Sequence, residues 1–230
     1  NFPKKIDVLI HLANLNAKNC NKFPSEAVSV NIDHSRLIFQ NAVTNNVKHI
    51  IYFSTSQVYG NKLIGEISEN SIINLENLYS LTHKAAEDVL KVYCSNNSKT
   101  IYSILRLSNS FGAPIDLNTD IWDIFINNLS KECSLNKSLT IKSNPEILKD
   151  FIPIRHVAEC VSFLISNVNQ NGLYNLSSES TYTLLDIAKK LKYNYEIINP
   201  KVEVKINYNH LNSNTKNHFQ FINRNLNKIR

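Results

Sequence analysis

Short, uninterrupted apolar runs alternate with helical patterns along most of this chain. The runs lie at 6–12, 48–54 and 100–106, with a weaker one at 150–154. Runs of this kind, bounded by polar turns, are typical of parallel strands that are buried on both faces. Helical patterns follow them, near 26–45, 78–94, 121–132, 156–167 and 183–192. The alternation predicts an α/β fold with a doubly wound parallel sheet.

Composition and charge restrict the partners. The 230 residues are 43% hydrophobic and 19% charged, as in ordinary globular proteins. The net charge of +6 comes from scattered lysines and arginines, so a nucleic-acid partner is disfavoured, whereas a diphosphate-bearing small molecule fits. No apolar run approaches the roughly 18 residues of a membrane span, which disfavours a membrane partner. We therefore expect a cytoplasmic protein.

The cysteines and glycines carry no metal or phosphate motif. The four cysteines are far apart and include no C-x-x-C pair, so neither a zinc site nor a disulfide framework is indicated. The four glycines, at 60, 65, 112 and 172, cannot form a G-x-G-x-x-G or Walker-type loop. If the protein binds a dinucleotide, the loop for its pyrophosphate is not among these residues.

A strand-end hydroxyl and a helix-borne phenol are the clearest candidate for chemistry. The apolar run ending at Phe53 leads into Thr55, and Tyr79 opens the next helical pattern. Alone, Tyr79 is best explained by packing and Thr55 by capping. Together they form an arrangement for proton transfer, and the catalytic interpretation is favoured.

Four sequence blocks, taken in order, resemble a known family. They are DVLIHLA at 7–13, STSQVYG at 54–60 with Tyr79 after it, RLSNSFGAP at 106–114 and KDFIPI at 149–154. Over roughly residues 6–190 the chain resembles the extended short-chain dehydrogenase/reductase group, in particular the NAD-dependent epimerase/dehydratase family that acts on nucleotide sugars. The resemblance implies NAD or NADP as cofactor and a nucleotide sugar as substrate.

The resemblance also implies a domain organisation. We expect an incomplete NAD(P)-binding Rossmann domain at 1–112 and, at 113–230, mainly a smaller mixed α/β substrate lobe, with 150–167 packing back on the Rossmann domain. In relatives, a glycine-rich turn and further strand-helix steps precede the block at 7–13. We therefore expect an N-terminal portion outside this sequence, and weak cofactor binding by residues 1–230 alone. A homodimer through the Tyr79 helix and its neighbour is a possible assembly.

Individual roles follow from the resemblance. It places Ala13 and Asn14 beside the cofactor and Asn31 near its ribose. Thr55 matches the catalytic Ser/Thr, which also contacts substrate, and Tyr79 matches the catalytic tyrosine, which also contacts cofactor.

Two further positions are matched to the substrate. Asn109 corresponds to a residue near the substrate diphosphate, and Lys149 stands where an arginine often binds that diphosphate. Lysine keeps the charge but not the bidentate geometry. We interpret the neighbouring Asp150 as a structural carboxylate. From pattern alone, Asn31 and Ser35 share a helix face that we expect to be solvated.

Two departures from the family pattern affect the predicted chemistry. Family dehydratases carry Asp-Glu directly after the Thr55 equivalent, but here Ser56 and Gln57 stand there and neither is a general acid or base. We therefore prefer epimerisation or ketone reduction to 4,6-dehydration. His83 replaces the lysine that holds the nicotinamide ribose and lowers the tyrosine pKa. Lys84 lies five residues after Tyr79 and points about 140° away around the helix, so it is no substitute.

His83 leaves two functions open. With an ordinary pKa of about 6.5 it would be largely neutral at pH 7, so Tyr79 would be a poorer base. Either His83 binds the ribose and assists catalysis, or it lines the site without acid/base duty. The protein is accordingly predicted to be an epimerase or reductase, with a non-catalytic relative that binds cofactor or nucleotide sugar as the alternative.

Overall fold

The computed structural model describes residues 2–3, 5–61, 63–96, 99–116, 118–119, 122, 124–136, 138–141, 144–190, 194–197 and 219–221. Its strands are β1 (Val8–His11), β2 (His49–Thr55), β3 (Gly65–Ile67), β4 (Ile101–Leu107), β5 (Asn109–Phe111), β6 (Ser138–Ile141), β7 (Leu148–Pro153), β8 (Gly172–Leu176), β9 (Thr181–Thr183), β10 (Asn194–Ile197) and β11 (Phe219–Phe221). Its α-helices are α1 (Ala17–Lys22), α2 (Pro24–Val28), α3 (Ser35–Thr44), α4 (Leu78–Ser95), α5 (Phe125–Asn136), α6 (Ile154–Asn167) and α7 (Leu184–Lys190). A strand suggested by the alternating pattern at 202–206 lies outside the described residues.

The central sheet is parallel, in the order β1-β2-β4-β8. The predicted runs at 6–12, 48–54 and 100–106 are its first three strands, which confirms the α/β fold class. The run predicted at 150–154 is β7, which lies in a separate mixed sheet, parallel to β5 and antiparallel to β9. The fourth strand of the central sheet, β8, was not predicted.

Helices cover both faces of the central sheet. Side chains alternate along β2, so that Ile50 and Tyr52 face α3 and α4, whereas Ile51 and Phe53 face α6. The second face is closed by Val157, Cys160 and Leu164 of α6. A third apolar cluster joins α5 and α7 to Phe151 of β7. The sheet is therefore doubly wound, with a smaller mixed α/β region beside it.

The segment from 24 to 44 is one continuous helix with an irregular middle. A π-helical stretch, Ser29–His34, connects α2 to α3. Asn31 and Ser35 are 0% and 1% exposed, so the prediction of a solvated face at these positions is wrong. The loop after β1 covers Asn31 and His11 covers Ser35, contacts between distant parts of the chain that a helical pattern does not reveal.

Two absences are established for the described part of the chain. Every helix there is too short or too polar to span a lipid bilayer. No cluster of histidine, cysteine and carboxylate side chains there could hold a metal ion, and Cys20, Cys94 and Cys160 are buried and form no disulfide bond.

Candidate active site

The candidate site lies where β2 and β4 end and α4 begins. Thr55 is the last residue of β2, and its Oγ1 accepts a hydrogen bond from the Gln57 backbone N at 3.2 Å, which caps the 3₁₀ turn Ser56–Tyr59. Asn77 caps α4 by accepting from the Ser80 backbone N at 2.8 Å. These two caps fix the positions of Thr55 and of Tyr79, which lies in the first turn of α4.

Thr55 and Tyr79 lie beside each other at this site. Burial raises the pKa of the Tyr79 phenol, and hydrogen bonding by the nearby Thr55 side chain partly offsets that rise. Both side chains line a cavity of about 220 Å³ together with Asn109. The pair predicted from sequence therefore meets at an accessible cavity at the carboxyl ends of parallel strands, where ligands of open α/β sheets bind.

His83 lies one helical turn after Tyr79, with its ring inclined at 72° to the phenol ring. The two ring centroids are 4.4 Å apart. The His83 Nδ1 atom lies 2.9 Å from the hydroxyl of Tyr52. Burial, with a smaller contribution from His11, lowers the pKa of His83 to about 4. The imidazole is therefore neutral at pH 7.

The other ring nitrogen of His83 is the clearest indication of a ligand-binding position. Nε2 is buried and has no hydrogen-bond partner among the described residues. Buried polar atoms are rarely left unpaired, so the atom fits a hydroxyl supplied by a bound molecule. This suits the ribose beside a nicotinamide. The residues present fit that end of the cofactor, while the chain's glycines form no pyrophosphate loop.

The other residues matched to the cofactor lie around the loop that follows β1. Ala13 is exposed and Asn14 donates to the carbonyl of Leu12 at 3.0 Å. Asn31 accepts from the Leu15 backbone N at 2.6 Å and donates to Thr82 Oγ1 at 3.0 Å. Asn31 thus ties this loop to α4, and its contact with a cofactor ribose stays a prediction.

The residues matched to substrate lie in an adjoining cavity of about 430 Å³. Asn109 and Lys149 both line it, and Ser56, Gln57 and Asn109 belong to both cavities. Burial lowers the pKa of the Lys149 ammonium group. Asn109 donates through Nδ2 to the Asp150 carbonyl at 2.9 Å. The structure therefore brings a cation and an amide close to the Thr55–Tyr79 pair.

Sequence reasoning missed Tyr52 and a buried ion pair behind the site. Arg106 donates to Glu87 through Nε at 3.0 Å and Nη2 at 2.7 Å, and Ser54 donates to the same carboxylate at 2.6 Å. Arg106 also donates to the Tyr59 hydroxyl at 3.0 Å. Arg106 is a charged residue inside an apolar strand, and this could have predicted the ion pair, because buried charges are almost always paired. Tyr52 gave no signal, since aromatic residues are ordinary in strands.

The parallel sheet defines a Rossmann-like α/β protein, and the hydroxyl and phenol at its carboxyl edge form its candidate site. Residues 1–177 match the family model described as "NAD dependent epimerase/dehydratase family". The chain therefore belongs to this family, as the four sequence blocks indicated.

The relatives of known activity include both dehydratases and epimerases. The chain is 27% identical over 200 residues to a dTDP-D-glucose 4,6-dehydratase of Dictyostelium discoideum, covering 82% of this chain and 45% of the relative. It is 26% identical over 220 residues to a UDP-glucose 4-epimerase of Drosophila melanogaster, covering 84% of this chain and 63% of the relative. The chain thus spans about half to two thirds of the length of these relatives.

Solved structures share the fold. MoeE5 in complex with UDP-glucuronic acid and NAD superimposes with a TM-score of 0.80 at 17% identity, covering 98% of this chain and 73% of that one. UDP-N-acetylglucosamine 4-epimerase from Methanobrevibacter ruminantium M1, in complex with UDP-N-acetylmuramic acid, gives a TM-score of 0.79 at 23% identity, covering 98% of this chain and 71% of that one. The Rossmann-like fold is therefore shared by proteins of low sequence identity.

Proposed function

We propose that the protein is an NAD(P)-dependent enzyme that epimerises or reduces a nucleotide sugar. The observation that carries this proposal is the Thr55–Tyr79 pair, whose side chains line one cavity that adjoins the cavity lined by Lys149. Family membership supports the cofactor and substrate class. Residues 1–112 would mainly hold cofactor and 113–230 mainly substrate, with α6 packed back on the central sheet.

Proton transfer falls to Tyr79 in this proposal. Its phenol exchanges a proton with a sugar hydroxyl or ketone, while Thr55 hydrogen-bonds the reacting oxygen. The bound nicotinamide supplies hydride exchange at the same sugar carbon. His83 holds the ribose by its unpaired Nε2 atom, with Ala13, Asn14 and Asn31 shaping the cofactor side of the site.

Lys149 and Asn109 would bind the substrate diphosphate. Lys149 lines the larger cavity, and its ammonium group forms no ion pair with any carboxylate in the described part of the chain. A partly buried cation of this kind attracts an anionic ligand, because burial without a counter-charge costs free energy. A diphosphate supplies that counter-charge.

Ser56 and Gln57 favour epimerisation or reduction over 4,6-dehydration. Both line the two cavities, where a dehydratase of this family carries an acidic pair. Neither a hydroxyl nor an amide serves as a general acid or base near pH 7. Their chemistry suits hydrogen bonds to sugar hydroxyls.

A panel of nucleotide sugars, incubated with NAD, NADP or their reduced forms, tests the proposal. Product formation is followed by proton NMR of the sugar ring and by nicotinamide absorbance. We expect turnover by the wild type and a loss of about 100-fold or more in Tyr79→Phe, the usual effect of removing a general acid or base. A matched variant, Tyr102→Phe, removes a phenol hydroxyl at the opposite end of β4 and should leave turnover unchanged.

The neutral His83 favours one competing function, a binding protein without turnover. This alternative predicts that NAD or a nucleotide sugar binds, while no product forms with the wild type or with His83→Lys. Turnover by either version, abolished by Tyr79→Phe, would contradict it. A cytoplasmic location and a homodimer complete the proposal.

A further inference from the structure

Three aromatic rings form a buried row behind the candidate cofactor site. His11 of β1 lies against Tyr52 of β2 with centroids 5.7 Å apart, and Tyr52 lies against His83 of α4 at 6.0 Å. The planes of these neighbours differ by only 23° and 28°. Tyr52 is fully buried, so its hydroxyl has no access to water. The polar atoms in this row must therefore find partners within the protein or in a ligand.

The phenol proton of Tyr52 has one available acceptor. Burial, followed by the nearby charge of Glu87, raises the pKa of Tyr52 well above its ordinary value, so the hydroxyl keeps its hydrogen. Among the described residues, the hydroxyl is hydrogen-bonded to His83 Nδ1 and to no other atom. His11 is engaged elsewhere, because its Nε2 atom is 2.9 Å from Ser35 Oγ.

The direction of this hydrogen bond follows from which atoms would be left unpaired. If Tyr52 donates to Nδ1, the neutral imidazole carries its hydrogen on Nε2, and this N–H is the one unpaired group. If Nδ1 donates to Tyr52 instead, two groups are unpaired: the Tyr52 hydroxyl hydrogen and the bare Nε2 atom. Each unpaired buried group costs free energy, so donation from Tyr52 is favoured.

We propose that Tyr52 is a positioning residue that fixes His83 as its Nε2–H tautomer, so that Nε2 donates a hydrogen bond to a ribose hydroxyl of the nicotinamide cofactor. A neutral donor thereby replaces the lysine ammonium group at this position. The ribose contact rests on the proposed function, whereas the tautomer is a property of the chain without ligand.

Nuclear magnetic resonance of the ligand-free protein tests the tautomer. Histidines labelled with ¹³C and ¹⁵N give ring shifts that distinguish Nε2–H from Nδ1–H, and the spectrum of His83→Gln assigns the His83 signals. We expect the Nε2–H form in the wild type and a displaced Nδ1 resonance in Tyr52→Phe. A wild-type Nδ1–H tautomer, or His83 shifts that do not respond to Tyr52→Phe, would overturn the role of Tyr52.

A double-mutant cycle tests the contact with cofactor. Calorimetric titration with NAD and NADP should show a roughly 5- to 10-fold loss of affinity in Tyr52→Phe. In a His83→Lys background the same change should cost less than about twofold, because a lysine ammonium group needs no tautomer to donate. Equal losses in the two backgrounds would assign Tyr52 a purely structural role and overturn the inference.

Controls separate this inference from the proposed function. Tyr174→Phe removes another buried phenol hydroxyl, on β8 and facing α6, and should leave NAD affinity unchanged. Thermal unfolding of each variant verifies that it is folded. Failure of every folded version to bind NAD or NADP would overturn the ribose contact together with the proposed function, whereas the tautomer measurement decides the role of Tyr52 alone.

Discussion

At the scale of single residues, His83 adds no positive charge beside Tyr79. The pKa of Tyr79 is raised by burial, and the neighbouring His83 is neutral because its own pKa is lowered to about 4. The neutral His83 therefore does not stabilise the phenolate form of Tyr79. A lysine there would supply that charge within one helical turn.

We expect His83→Lys to lower the pKa of Tyr79 by about one unit or more, since a cation at this distance stabilises the phenolate. Titration of tyrosinate absorbance, with Tyr79→Phe subtracted to isolate the signal, measures the change. The pH at which turnover rises should move downward by the same amount. Identical profiles for wild type and His83→Lys would show that residue 83 does not act on Tyr79 through charge.

The two buried histidines also predict loss of stability in acid. The pKa values of His11 and His83 are both lowered to about 4, chiefly by burial, from an ordinary value of 6.5. Between these values the unfolded chain binds more protons than the folded one, so the free energy of unfolding falls as pH decreases. Each histidine contributes roughly 1.4 kcal/mol per pH unit over this window.

Urea unfolding between pH 7 and pH 4 measures this slope. We expect His83→Gln to have a shallower dependence on pH than the wild type, by about one proton, because glutamine does not titrate. His34→Gln is the matched control, since His34 is exposed on the helix surface. Equal slopes for wild type and His83→Gln would contradict burial of a neutral His83.

At the scale of secondary-structure elements, the Arg106–Glu87 ion pair joins β4 to α4. The two side chains are 2% and 0% exposed. Removing one partner leaves the other charge buried without compensation, which typically costs about 3–5 kcal/mol. Glu87→Leu and Arg106→Met should each lose stability in this range in urea unfolding.

The double variant Glu87→Leu/Arg106→Met gives the sharper result. Its loss in free energy of unfolding should be smaller than the sum of the losses in the two single variants, because no charge is left unpaired. Additive losses would mean that the pair is solvated. The surface pair Arg155–Glu159, one turn apart on α6, is the control and should contribute less than about 1 kcal/mol.

Asp150 holds the mixed sheet to the loop after β8. The carboxylate is fully buried and accepts from Ser108 Oγ at 2.5 Å, Ser178 N at 3.0 Å and Ser180 N at 3.2 Å. Its interpretation as a structural carboxylate is thereby confirmed.

Asp150→Asn should destabilise the protein by about 1–3 kcal/mol, because an amide NH₂ then faces these donors. Chemical unfolding measures the loss, and Asp116→Asn, at an exposed position, serves as the control. A neutral outcome for Asp150→Asn would mean that one amide oxygen satisfies all the donors.

The sequence predicted the secondary-structure elements better than the contacts between side chains that are distant in the chain. The runs that form β1, β2 and β4 are continuous and apolar. In contrast, β8 was not predicted, because Asn175 interrupts its short apolar segment. Asn175 is buried and accepts from the Tyr59 hydroxyl at 2.6 Å, a contact between distant parts of the chain. Thr55 and Tyr79 could be found because motif and spacing are local. Tyr52 could not, since its role depends on what lies beside it in space.

At the scale of the whole molecule, the outer face of α4 suits a homodimer. Leu81 and Val92 are 45% and 61% exposed, and eleven residues apart they lie on one side of the helix. Leu37 of the neighbouring α3 is 44% exposed. These side chains provide apolar area on the helix pair expected to form the dimer.

We expect Leu81→Asp/Val92→Asp to convert a dimer into a monomer, because two charges would be buried at the interface. Light scattering coupled to size-exclusion chromatography measures the mass. Ile165→Asp, at a similarly exposed position on α6, should leave the mass unchanged. A wild-type monomer at high concentration would contradict the dimer.

The π-helical stretch Ser29–His34 gives this segment a tolerance to a change in length. A π-helical turn holds one residue more than an α-helical turn, because its hydrogen bonds join residues five apart instead of four. Removing one residue within the stretch should therefore restore α-helical geometry and leave Phe39 and Ala42 in the core and Ser35 beside His11. Removing a residue within α3 would instead turn the residues after it by about 100°. The segment should thus accept the loss of one residue in the π-helical stretch and reject the same loss in α3.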